Sequence, residues 1–183
     1  LAFGDLGWGD ELLFATLMTI TVSILSMGLG LCLAIVTVWA KLITNRITRF
    51  IASFYTTVVR GVPELLVIYL IFFGGNSVVM SIAKLFGYNG YIELNALTIG
   101  TIAIAFISAT YSSEVIRAAY LAVNKGQVEA AKALGLNQLQ IFLRVMGPQI
   151  IRLALPGIGN VWQITLKDTS LISVTGLVEI MRQ

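Results

Sequence analysis

The chain has 183 residues, 57% of them hydrophobic and only 11% charged, with a formal charge of +3 and a mean hydropathy of +0.90. A soluble domain carries about 25% charged residues, so this composition excludes an ordinary water-soluble fold and fits a chain solvated by lipid. The absence of histidine and the single cysteine remove histidine metal sites, histidine general bases and intrachain disulfides, and no clustered basic face speaks for nucleic acid.

The chain starts at Leu1, not Met, and is read as a fragment. Its first stretch, Leu1 to Glu11, holds acids and no base, the reverse of a signal peptide. Leu12 to Ala40 is uncharged and exceeds the roughly 20 residues that cross a bilayer; this first span is placed at 12–40. Gly28 and Gly30 at its centre predict close helix contact, and Cys32 is expected to be an inert buried thiol. Trp8 and Trp39 suit interfacial anchors. Lys41 to Phe50 reads as a basic connector.

The second span, 51–83, contains Arg60, Pro63 and Glu64. The proline removes a backbone donor and predicts a kink or restart. Gly74, Gly75 and Asn76 predict a second break. Residues 86–95 read as a loop, with Tyr88 and Tyr91 as further anchors. The third span, 96–117, ends in Glu114 and Arg117, which are three apart and face the same way, as an interfacial ion pair would. The fourth, 148–166, encloses Pro156, Gly157 and Gly159 and is closed by Lys167 and Asp168. Bases concentrate in alternate connectors: Lys41, Arg46 and Arg49 in the first, Lys125, Lys132 and Arg144 in the third. That pattern puts both in the cytoplasm and the N-terminus outside.

The connector 124–147 and the proline after it carry the most information. Gln127 to Leu134 favours helix, Gly135 sits where a helix stop needs a left-handed residue, and Asn137 with Gln140 forms a capping-box pattern for a second short helix. Pro148 suits the first turn of the next span. Composition alone would also allow a plain amphipathic connector on the membrane surface.

Glu129, Ala130, Ala131 and Gly135, then nine residues, then Val145 and Pro148, resemble the EAA loop of ABC importer permeases. Val145 stands for the usual Ile and Gly147 for the usual Leu. RGVPELL (60–66), SSEVIRAAYLAVNKGQVEAAKALGL (112–136) and LALPGIGNVWQITLKDTSLISVTGLVEIMRQ (153–183) are similar to segments of the polar-amino-acid branch, which handles histidine, arginine, glutamine, glutamate and opines. Asn124 and Gly157 replace prolines usual there. Together with the loop 129–148 these segments cover about two-fifths of the chain.

The resemblance implies an all-α integral membrane protein with the MetI-like permease fold, in which four of about five spans are present together with cytoplasmic coupling helices. It implies a bacterial inner-membrane location and import of polar amino acids or related solutes. Its partners would be cytoplasmic ABC ATPase subunits that bind ATP and Mg, a second identical or related permease, an external solute-binding protein and the lipid membrane. Glu129 would dock the coupling helix on the ATPase, Ala130 and Ala131 would keep that face thin, and Gly135 would make the turn. No phosphate-binding GxxxxGK[ST] pattern occurs, so no cofactor or metal is expected in this chain and it is not itself an enzyme.

For an amino-acid substrate, a carboxylate can hold the ammonium, and a cation or helix N-terminus the carboxylate. Glu64, Asn160, Gln163, Lys167 and Asp168 are the candidates for the solute path, although Asn160 and Gln163 also suit interhelical hydrogen bonds. Arg60 reads as a cytoplasmic-side or helix-contact group rather than a ligand. An ion-coupled secondary transporter is the rival reading, and it leaves the glycine-hinged loop unexplained. An intramembrane enzyme lacks a nucleophile–base pair.

Overall fold

The computed structural model describes residues 9–85 and 95–172, and among them every regular element is helical. Trp8, Tyr88, Tyr91 and residues 173–183 lie outside the described residues.

Helix α1 (Gly9–Leu42) packs chiefly on α4 (Ala96–Ala122). Its buried face is built from small and polar residues: Ser23, Ser26, Gly30, Ala34 and Thr37. Leu17, Ile24, Leu29, Leu33, Ile35 and Val36 point outward. Lipid is as apolar as leucine, so burying leucine gains little here; close packing and hydrogen bonds hold the helices together instead. Ser26 Oγ donates to the Thr101 carbonyl at 3.1 Å. A Cβ on Gly30 would lie 2.1 Å from Ser108 Oγ and 3.1 Å from the Ala105 carbonyl oxygen. Gly28, expected to share this role, has no atom near the place its Cβ would take. Cys32 is exposed on the outer face rather than buried, because a helix in lipid satisfies an apolar side chain without a protein partner.

The second span is two helices. α2 (Arg46–Gly61) and α3 (Glu64–Leu85) meet at a bend of 112°. Pro63 forces Val62 into extended backbone (φ −105°, ψ 141°), and its carbonyl then accepts from Leu66 N at 2.9 Å as α3 restarts. The expected connector 41–50 shrinks to residues 43–45, with Asn45 capping α2. The expected break at Gly74–Asn76 is absent, and α3 runs through it.

After α4 come α5 (Lys125–Ala133), α6 (Gln138–Ile141), a π-helical turn (Phe142–Met146) and α7 (Gly147–Ile172). α6 and α7 are one continuous helix from Gln138 to Leu171, so the second short helix expected after Gly135 is not a separate piece. Pro148 has no N–H to give, and the π turn just before it absorbs the lost bond: Gly147 N–H reaches back five residues to the Phe142 carbonyl. A Cβ on Gly147 would stand 2.9 Å from that oxygen, so glycine here goes with the π turn. Lys167 and Asp168 lie inside α7 and do not end it. Among the described residues three helical stretches are long and apolar enough to cross a membrane, and the bent α2–α3 pair taken as one span makes a fourth.

Candidate functional site

Residues 125–141 form a bent knob whose shape follows from local sequence. Asn124 caps α5 by accepting from Gly126 N at 2.8 Å. Gly135, at φ +78°, closes the helix. Gly135 N donates to Lys132 O at 2.9 Å and Leu136 N to Ala131 O at 3.2 Å, the two bonds of a Schellman stop. Asn137 and Gln140 then cap each other reciprocally at 2.9 and 3.0 Å.

Glu129 and Ala130 face outward from this knob, whereas Ala131 is buried. The three residues read together in the sequence therefore divide: two present a surface and one is buried. Gln149 of α7 donates to Gln127 at 2.6 Å and to the Val145 carbonyl at 2.7 Å. It ties α5 to the start of the last span, a link that no local pattern announced.

The expected path residues fall into two groups. Asp168 is buried and lies near Glu64. Tyr111 Oη donates to Glu64 Oε1 at 3.1 Å, and the Arg60 guanidinium sits 5.4 Å from the centre of the Tyr111 ring. Arg60, Glu64, Tyr111 and Asp168 thus gather from α2, α3, α4 and α7 at the Pro63 break. Asn160, Gln163 and Lys167 are exposed. At about 100° per residue, they share one face of α7 with the exposed Arg152, away from the buried Ala154, Val161 and Thr165. The interhelical hydrogen bonds expected of Asn160 and Gln163 are not made among the described residues. Trp162 makes one instead, donating to Ser23 at 2.9 Å.

Lys41, read from sequence as a connector base, has its side chain buried. Its ammonium donates to Thr56 Oγ1 at 2.6 Å and to Glu114 Oε1. The expected partner of Glu114, Arg117, stands further off at 3.8 Å. These groups, with Arg49, Ser53 and Thr57, line a polar cavity of about 210 Å³ between α1, α2 and α4. Arg60, Glu64, Tyr111 and Asp168 are not among its lining residues. Lys41 and Glu114 are 73 positions apart, too far for any sequence period to pair them.

The family profile described as "binding-protein-dependent transport system inner membrane component" matches residues 26–183. The nopaline transport system permease protein NocQ of Agrobacterium fabrum is 53% identical over 183 residues, covering all of this chain and 78% of the relative. The octopine transport system permease protein OccQ of Rhizobium radiobacter is 46% identical over the same length and is covered to 77%. Among solved structures, an amino acid ABC transporter crystallised with histidines superposes with a TM-score of 0.80 at 30% identity, over 96% of this chain and 77% of that one.

Proposed function

The chain belongs to the family of binding-protein-dependent transport system inner membrane components, and from that premise we propose that it carries polar amino acids or opine-like solutes inward and is driven through residues 125–148 by a cytoplasmic ATPase. The observation that carries this reading is the knob itself. Its two caps and its Schellman stop make it a rigid body, and Gln149 fastens it to the last span. A partner that pulls on Glu129 and Ala130 would then move α7 with them.

The solute path runs past the cluster at the Pro63 break. Glu64 and Asp168 offer carboxylates to an ammonium or guanidinium, and Arg60 offers its guanidinium to a carboxylate. Such opposed groups suit an amino acid or an opine, and the relatives named for nopaline and octopine support that class. The exposed face of α7 with Arg152, Asn160, Gln163 and Lys167 is costly in lipid, and it serves as the wall shared with water and a second permease subunit. The N-terminus faces outward, in keeping with the basic connectors, and an external binding protein delivers solute there. ATP and Mg reside on the partner.

The test is purification of the full-length permease with its ATPase and binding protein in proteoliposomes. Hydrolysis should rise when the binding protein is loaded, and labelled solute should accumulate. Uptake that persists with the ATPase removed and a proton or sodium gradient supplied would favour the ion-coupled rival and sink this reading.

A further inference from the structure

We propose that the polar cavity between α1, α2 and α4 is a carboxylate-holding station on the exit half of the solute path, and that it favours solutes with more than one carboxylate. The inference rests on the transport reading above. Three cations, Lys41, Arg49 and Arg117, line the cavity against one carboxylate, Glu114.

Lys41 is committed to Thr56 and Glu114. Arg49 gives one nitrogen to the Ile43 carbonyl at 3.0 Å, and Arg117 holds Glu114 only at 3.8 Å. Both guanidiniums keep donors to spare, since each has five N–H groups. Ser53 and Thr57 add hydroxyls to the lining. The volume of about 210 Å³ suits a carboxylate with its neighbouring carbons rather than a lone ion.

The location is that of an exit. The cavity lies at the end of the bundle where α1 finishes, α2 begins and α4 runs into α5 and the coupling knob. Arg60 follows Thr57 on the same helix, three residues before Pro63. Along α2 the polar residues Arg46, Arg49, Ser53, Thr57 and Arg60 recur on one face at helical spacing. The exposed apolar residues Ile47, Phe50, Ile51, Phe54 and Val58 lie on a different face. The polar row therefore adjoins the apolar face rather than coinciding with it, and nanodiscs of two lipid compositions separate a solute from a lipid headgroup. Arg49 is exposed and the Arg117 side chain is 43% exposed, so both can reach an entering anion, and a guanidinium can grip a carboxylate bidentately.

The experiment is equilibrium binding of labelled arginine, octopine and nopaline to the intact permease–ATPase complex in lipid nanodiscs without binding protein. These probes carry one, two and three carboxylates. In the double variant Arg49→Gln, Arg117→Gln, nopaline should bind about fivefold more weakly, the factor for losing one partly exposed charge contact. Octopine should lose less and arginine less than about twofold, and Arg49→Lys, Arg117→Lys should recover most of the loss. An equal loss for all three probes, or no loss for nopaline, overturns the station while leaving transport intact. A wild-type complex that binds none of the probes, with hydrolysis that ignores loaded binding protein, overturns the transport reading as well. Discs of phosphatidylcholine alone and discs containing phosphatidylglycerol separate the two sources of an anion. A loss seen only with phosphatidylglycerol assigns the cavity to a lipid phosphate and refutes the proposal.

Discussion

Replacing Gly135 separates the shape of the knob from what the knob touches. Its φ of +78° costs an ordinary side chain about 1–2 kcal/mol, and asparagine and aspartate less because they tolerate the left-handed region. No atom lies within 4 Å of the position a Cβ would take, so within this chain the penalty is conformational and not steric. Gly135→Ala should therefore leave insertion intact and shift the turn by that amount, which corresponds to about 5–30-fold in the population of the bent form. Gly135→Asn should be milder than alanine if the backbone alone matters. Gly135→Asp has a similar backbone tolerance but adds a carboxylate. If the turn is enclosed by the ATPase, desolvating that charge costs several kcal/mol, and transport-coupled hydrolysis should vanish in Asp while Asn retains part of it. The assay is hydrolysis stimulated by loaded binding protein in proteoliposomes, normalised to assembled complex. Equal coupling in the Asn and Asp variants would refute the enclosure of this turn, and wild-type coupling in Asp would remove the lever argument altogether.

Two other outcomes follow from packing alone. Glu114→Leu leaves the Lys41 ammonium, with a side chain only 5% exposed, one hydroxyl partner; after allowance for water reaching Glu114, the loss should be about 2 kcal/mol. The double variant Lys41→Met, Glu114→Leu should recover all but about 1 kcal/mol, read as unfolding midpoints in detergent, and additive losses would mean that the pair is not coupled. Gly30→Ala should destabilise the α1–α4 contact by about 1–3 kcal/mol, because the new Cβ meets Ser108 Oγ. Ser108→Ala in the same chain should recover part of that loss but not all, since the Ala105 carbonyl remains 3.1 Å away; a neutral Gly30→Ala would show that the helices are not in contact there.

The sequence by itself determined whatever depends on neighbours along the chain. Uncharged length marked the spans, Pro63 marked the restart because it dictates the backbone of Val62, and Gly135, Asn137 and Gln140 specified the knob because caps act within a few residues. The spacing from Glu129 to Pro148 was enough to suggest the family. What only the tertiary structure decided is which way side chains face and which distant groups meet. The inner and outer faces of a membrane helix can both be apolar, so hydropathy could not tell that Cys32 points outward; residue type likewise could not tell that Ala131 turns inward, or that Asn160 and Lys167 are exposed while Asp168 is buried. Lys41 finds Glu114 and Asp168 meets Glu64 only because helix packing brings them together, an arrangement with no period along the chain for a reader to detect.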